Sequence, residues 1–134
     1  MPTIGTQQIT TALTNEVVAT VTGLTDKNRV SLVAAFTYGS GSTVTAKAYL
    51  QTSLDGGTTW YDIACFAFAE ASAAKYLSVS ALTAVNADVT PSTGALADDT
   101  SINGLLGDRI RMVVTSTGTY AGSTSLKVDY YATA

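Results

Sequence analysis

The sequence contains no histidine and only one cysteine, Cys65, among its 134 residues. Without an imidazole there is no base for a Ser-His-Asp or Cys-His nucleophile and no histidine ligand for zinc. A lone cysteine excludes an intrachain disulfide and cannot build a structural zinc site. Cys65 lies in the apolar run 63–68, so we expect it to be a small side chain of the core.

Charged residues are scarce as well: seven are basic and ten are acidic, 13% of the chain, and the net charge is −3. The basic residues are scattered, which argues against a nucleic-acid partner. No apolar run reaches the roughly 18 residues of a membrane span, so we expect no membrane partner. A surface with little charge and many small and apolar residues favours packing in an assembly.

Alternating apolar and polar residues dominate the chain and predict about seven or eight β-strands and no substantial helix. We expect the alternating stretches 30–38 and 44–51 to pair as a hairpin around the Gly-Ser turn between them. A last hairpin is expected between 109–115 and 126–130. Residues 86–103 are irregular and predict a long surface loop with at most one short strand.

These patterns predict an all-β fold, a single antiparallel β-sandwich of either the jelly-roll or the immunoglobulin-like type. A chain of 134 residues has the length of one domain. We assign residues 14–134 to the sandwich. Residues 1–13 are polar and weakly patterned, so we expect an N-terminal arm that orders only against a partner.

One octapeptide, residues 53–60, reads S-L-D-G-G-T-T-W. It matches the Asp box, Ser-x-Asp-x-Gly-x-Thr-Trp, a motif repeated through the blades of sialidases and other sugar-cleaving propellers. A propeller needs at least four blades of about 40 residues each. This chain is too short for a complete propeller and carries the box once, so the octapeptide needs another explanation.

Each residue type in the octapeptide has a role in a tight turn. Gly56 and Gly57 can adopt positive φ without steric cost, and the Asp55 carboxylate can accept hydrogen bonds from turn amides. Ser53 can add a side-chain bond to the backbone, and Trp60 can cover the turn and anchor it to the core. We therefore interpret Ser53, Asp55, Gly56, Gly57 and Trp60 as a structural turn within a hairpin.

The acidic residues are weak candidates for chemistry. A glycosidase needs a pair of carboxyl groups about 5 to 9.5 Å apart, and Asp62, Asp98, Asp99 and Asp108 would have to converge on folding. Oxygens in the loop 88–103 could bind calcium, although their spacing fits no EF-hand. We interpret these acids as solvated side chains of loops and strand edges, and we expect no enzymatic activity, metal or cofactor.

Arg109 and Arg111 stand close together among only seven basic residues. The period of a strand places them on one face, away from Ile110. That face is either solvated or an ion-pairing stripe for a neighbouring subunit. Because arginine and tyrosine are enriched at interfaces, we select Tyr49, Arg109 and Arg111 as candidate interface residues.

Three stretches carry a resemblance to a known class of proteins: YLQTSLDGGTTW at 49–60, NGLLGDR at 103–109 and STGTYAG at 116–122. They resemble small structural proteins encoded among the head and tail genes of tailed bacteriophages and related gene-transfer particles. The resemblance implies a non-enzymatic β-sandwich of the virion, assembled in the host cytoplasm, most plausibly a capsid decoration or cement protein. Its implied partners are the major capsid protein, other virion proteins or further copies of itself, and a neck or tail component is the alternative.

A small carbohydrate-binding module is the alternative from another class. Exposed aromatic rings can stack on sugars, and the candidates are Tyr49, Tyr61, Tyr76, Tyr120 and Tyr131. Three or more of these rings on one exposed face would favour sugar binding. Scattered or buried rings would favour assembly.

Overall fold

In the computed structural model, which describes residues 1–134, every regular element is a β-strand. Nine strands form two antiparallel sheets, so the predicted all-β sandwich is confirmed, with slightly more strands than the alternation indicates. The strands are β1 Thr3–Gln8, β2 Leu13–Val21, β3 Arg29–Thr37, β4 Ser40–Ser53, β5 Tyr61–Phe68, β6 Ala73–Ser80, β7 Thr100–Ser101, β8 Arg109–Ala121 and β9 Ser125–Thr133. No helix is present that could span a membrane.

The strand order identifies the type of sandwich. The four-stranded sheet has the order β1-β9-β3-β6, and the five-stranded sheet has the order β2-β8-β4-β5-β7. An immunoglobulin sandwich pairs its first two strands in one sheet, whereas here β1 and β2 lie in opposite sheets. Apart from the β4–β5 hairpin and the two-residue β7, consecutive strands lie in opposite sheets, in the manner of a jelly roll.

Both predicted hairpins, 30–38 with 44–51 and 109–115 with 126–130, are wrong, because the two strands of each lie in different sheets. β3 pairs with β6 and β9, while β4 pairs with β5 and β8. Gly39 carries the chain from one sheet to the other, and the backbone of Ser123 passes so close that a Cβ at Gly39 would lie 2.6 Å from its carbonyl oxygen. Alternation identifies a strand and its buried face but not its neighbour, because pairing is decided by tertiary packing.

The octapeptide does close a hairpin, since β4 and β5 are antiparallel neighbours on either side of it. The irregular stretch predicted at 86–103 is also as expected. Residues 81–99 form a loop between β6 and β7, and the two-residue β7 is the one short strand within the predicted stretch. We call residues 81–99 the covering loop, because much of it lies against the outer face of the five-stranded sheet.

The N-terminal segment is not an arm outside the sandwich. Residues 3–8 form β1, an edge strand of the four-stranded sheet that pairs with β9. Ile4 and Ile9 are both buried in the core, and the Ile9 amide donates a hydrogen bond to the Thr124 carbonyl at 2.9 Å. The segment escapes sequence-based assignment because only these two large apolar side chains mark it.

The core lies between the inner faces of the sheets and contains 21 buried residues. Leu50, Phe66 and Met112 from the five-stranded sheet pack with Leu32 and Val128 from the four-stranded sheet. A second, smaller cluster lies on the opposite side of the five-stranded sheet, under the covering loop. The outer face of that sheet is therefore partly buried, whereas the outer face of the four-stranded sheet is open.

Replacing Ile9 by alanine tests the assignment of the N-terminal segment to the sandwich. We expect Ile9→Ala to lower the free energy of unfolding by about 2 to 5 kcal/mol, because it leaves a cavity in the core. The exposed neighbour Gln8 is the control, and Gln8→Ala should change stability by less than about 0.5 kcal/mol. Urea denaturation measures both; equal midpoints would show that the segment is a free arm.

Candidate functional site

The turn at residues 53–59 is held by one carboxylate and one hydroxyl. Asp55 Oδ1 accepts hydrogen bonds from the amides of Thr59 at 2.8 Å and Thr58 at 3.1 Å, and from the Ser53 hydroxyl at 2.8 Å. The Ser53 Oγ accepts in turn from the Gly57 amide at 2.9 Å. Hydrogen bonds from Thr59 and then Ser53 lower the pKa of Asp55 from 3.8 to about 2.

The glycines and the tryptophan complete this turn. Gly56 and Gly57 have φ angles of 76° and 98°, which favour glycine. The Trp60 indole Nε1 donates to the Gly57 carbonyl at 3.0 Å, so the ring folds back over the turn. Its face does not join the main core; instead the Arg111 guanidinium stacks on it, 4.1 Å from the ring centroid.

A polar chain leads from this stacked pair into the covering loop. The Arg111 Nε donates to the Gln51 side-chain oxygen at 2.7 Å. The amide nitrogen of Gln51 donates to Asp62 at 2.9 Å and to the Ser92 carbonyl at 2.8 Å. Burial lowers the pKa of Arg111, opposed by the nearby charge of Asp62. This network joins β4, β5, β8 and the covering loop. Its central residue, Gln51, is fully buried.

The buried carboxylate of Asp62 is the anchor of the covering loop. It accepts hydrogen bonds from three consecutive backbone amides, those of Gly94 at 3.3 Å, Ala95 at 2.8 Å and Leu96 at 3.2 Å. The Ser92 hydroxyl also donates to it, at 3.3 Å. Backbone amides that converge on one carboxylate compensate for its removal from water.

The anchored loop closes over Tyr49 and Cys65. Leu96 packs on these two residues and on Val113. Burial raises the pKa of the Cys65 thiol to about 11 and also raises the pKa of Tyr49. Tyr49 is a predicted interface residue, yet its side chain is only 5% exposed because the protein's own loop covers it. In this structure it serves an internal contact.

Arg109 and Arg111 do share the outer face of β8, as their spacing predicts. Arg111 is engaged by Trp60 and Gln51. The Arg109 guanidinium donates twice to Asp108, with both distances 3.1 Å, and this pairing raises the pKa of Arg109. The two arginines thus have different internal partners and do not form a single stripe of free charge.

The four acids considered for hydrolysis, two of which also belong to the possible calcium site, have partners within the chain. Asp98 forms an ion pair with Lys47 at 2.7 Å, and Asp99 forms one with Lys75 at 2.9 Å. Asp99 also accepts from the Ala67 amide at 3.0 Å. These bonds fasten the last residues of the covering loop, and no group of three or more acidic or cysteine side chains lies in a metal-binding arrangement.

Two tyrosines are exposed and share one face. Tyr76 on β6 is 61% exposed and Tyr131 on β9 is 58% exposed, both on the outer side of the four-stranded sheet. Tyr61 and Tyr120 are half-buried elsewhere, and the Tyr120 hydroxyl donates to the Thr117 carbonyl at 2.8 Å. The exposed face therefore carries fewer than the three rings that would favour sugar binding over assembly.

An apolar groove lies at one end of the sandwich, beside the Asp-box turn. We call it the end groove; it has a volume of about 230 Å³. Leu54, which is 60% exposed, and Val85, which is 46% exposed, stand on its walls. Its other apolar lining residues are Tyr61, Ala87, Val89 and Leu105, and Gly104 and one acid, Asp88, complete the lining. No sequence pattern predicts this groove, because its residues come from separate loops and strand ends.

In comparisons with known proteins, no protein-family model, curated protein or solved structure matches the chain. The fold is defined by its own strand order, and folds of this type serve many unrelated functions. Function must therefore be argued from the surfaces.

Removing the Asp55 carboxylate tests the turn. We expect Asp55→Ala to lower the melting temperature at neutral pH, because Thr58 and Thr59 lose their acceptor. A carboxylate whose pKa is lowered on folding stabilises the protein above its unfolded value, 3.8, and this contribution is lost as the pH falls toward about 2. The difference between variant and wild type should shrink over that range. Asp88→Ala, which removes a carboxylate of the covering loop that makes no hydrogen bond to the turn, is the control and should leave the melting temperature at neutral pH near that of the wild type.

Asp62→Ala tests the anchor of the covering loop. The substitution leaves three amides without their acceptor and removes one of the acceptors of Gln51, so we expect the loop to open more often. Labelling of the buried Cys65 thiol by a disulfide reagent should accelerate by about tenfold or more. Asp26→Ala removes an exposed acid far from these contacts and should leave the labelling rate unchanged. An unchanged rate in Asp62→Ala would show that other contacts suffice to hold the loop.

Proposed function

We propose that this protein is a non-enzymatic structural component of a phage-like virion, and that it binds an assembled head as a decoration or cement protein. The observation that carries the proposal is the end groove, where Leu54 and Val85 present apolar side chains to solvent on a surface with few charges. Apolar groups concentrated in this way are typical of protein–protein contacts. The resemblance of the three turn stretches to virion proteins supports the same class.

On the side of the end groove nearest the Asp-box turn, hydrogen bonds hold the backbone in place. Leu54 lies inside that turn, where its neighbours Ser53 and Asp55 make several hydrogen bonds. On the other side, the Gly104 amide donates to the Ser80 carbonyl at 2.7 Å, and the backbone there lies against Thr83 and Val85. A preorganised apolar surface loses little conformational entropy on binding.

The mechanism of such a protein is thermodynamic. A ligand that binds only the assembled shell stabilises that shell over its dissociated subunits by mass action. Each contact can be weak, because many equivalent copies act together on one symmetric particle. A neck or tail position uses the same groove and differs only in the partner, so separating heads from tails before detection distinguishes the two.

The first test is sedimentation of a native lysate through a density gradient, with this protein tracked by mass spectrometry. We expect it to travel with particles of megadalton size. Val85→Asp should reduce the amount bound per particle by at least about tenfold, because the new carboxylate would be desolvated in the contact. Val17→Asp is the matched control, since Val17 is 48% exposed but lies on β2, away from the groove.

The outcomes separate the parts of the proposal. Wild-type protein that stays at the top of the gradient would overturn the virion function. Wild-type protein that travels with particles, together with equal binding by Val85→Asp and Val17→Asp, would overturn the assignment of the contact to the end groove. Melting temperatures of both variants must stay near that of the wild type, so that a loss of binding is not a loss of fold.

A further inference from the structure

The open face of the four-stranded sheet carries a second groove, which the proposed function does not use. It runs over β3 between β6 and β9 and has a volume of about 290 Å³. Strand register places Ser31 between Ser78 and Tyr131, and Val33 between Tyr76 and Asp129. The two exposed rings therefore stand diagonally on either side of β3. We call this the tyrosine groove.

Tyr76 and Tyr131 form the walls of the groove, and most of the other side chains that line it are small. Neighbouring strands in a sheet are about 4.8 Å apart and each residue rises about 3.4 Å along a strand, so the Cα atoms of the two diagonal tyrosines are roughly 12 Å apart, with β3 as the floor between them. The Tyr76 hydroxyl lies 3.3 Å from the Ser31 hydroxyl, and hydrogen bonds from Ser31 and then Ser78 lower the pKa of Tyr76. These bonds orient one wall before any ligand arrives.

The floor and rim are polar, and most of their groups are hydroxyls. They come from Ser31, Ser78, Ser80 and Thr133. A hydroxyl both donates and accepts hydrogen bonds, so a cluster of them complements a ligand that is itself rich in hydroxyls. Aromatic walls around a hydroxyl floor match the two kinds of surface on a pyranose ring, its C–H faces and its hydroxyl edge.

A cation stands at the end of the groove. Arg29 is exposed, lines the groove and forms no ion pair. Of the seven basic residues, five form ion pairs with acids and Arg111 is held by Trp60 and Gln51. Arg29 is thus the basic residue left free to meet a ligand, and its planar guanidinium suits a carboxylate. The acid on this face of β9, Asp129, is engaged by Lys127 and Thr3.

We propose that the tyrosine groove binds an acidic sugar, with the pyranose ring between Tyr76 and Tyr131 and its carboxylate on Arg29. The volume lies near the lower limit of ligand pockets and fits one or two sugar residues. Such a short ligand needs two rings and a cation rather than a wide aromatic platform. This site is separate from the end groove, so the two proposals stand or fall independently.

Titration of the purified chain with a matched pair of ligands tests the proposal. Methyl glucuronide and methyl glucoside differ only in the carboxylate, and NMR signals of the tyrosine rings report binding. We expect the glucuronide to bind about tenfold more tightly than the glucoside. Arg29→Gln should abolish that preference while leaving glucoside binding unchanged. Tyr76→Ala and Tyr131→Ala should each weaken both sugars by about tenfold.

Lys127→Gln is the control, because it removes the same charge from the same face outside the groove, and it should preserve the preference. No shift of the Tyr76 and Tyr131 signals with either sugar at millimolar concentrations would overturn the proposal. Shifts produced equally by acetate, or produced only by a single-stranded oligonucleotide, would also overturn it, because the groove would then recognise an anion or a base rather than a sugar. Circular dichroism of each variant confirms that the sandwich is intact.

Discussion

The carboxylate of Asp62 determines what the five-stranded sheet can present to solvent. It gathers three consecutive amides of the covering loop and the side chain of Gln51 at a buried position on β5. An isolated buried charge is strongly unfavourable, but one that accepts this many hydrogen bonds is stable. Because the loop is fixed there, Tyr49 and Cys65 lie under it and Arg111 turns toward Trp60. The protein consequently uses one outer face for its own packing.

That arrangement explains why the sequence predicts the turn well and the interface residues poorly. The Asp box is local: its donors and acceptors lie within seven residues of one another, so their chemistry can be worked out from the motif. Tyr49 has the alternation of an outward-facing residue, and it does face outward. It is buried by Leu96, which is far away in sequence and in a stretch with no periodicity. Local pattern gives the face of a strand, whereas cover from a distant loop depends on the whole fold.

The sequence did contain one signal that could have indicated the anchor. Asp62 lies in an otherwise apolar run, Tyr-Asp-Ile-Ala-Cys-Phe at 61–66. A charged side chain in such a run is rarely buried without partners. The same reasoning applies to strand order. The alternation predicts most of the strands and the sandwich, but the jelly-roll crossing at Gly39 depends on contact with Ser123, which lies 84 residues later (123 − 39). No local rule chooses between a hairpin and a crossing there.

The position of the covering loop is compatible with both proposed binding functions on one small domain. Since that loop covers much of the outer face of the five-stranded sheet, the end groove and the open face of the four-stranded sheet are two of the surfaces that remain for partners. The end groove is apolar and suits a protein contact, whereas the tyrosine groove is lined by hydroxyls, two rings and a free guanidinium. Their residues do not overlap. A subunit attached to a particle through its end groove can therefore keep the tyrosine groove accessible, and many copies on one particle would turn a weak affinity for a single sugar into strong attachment to a surface rich in that sugar.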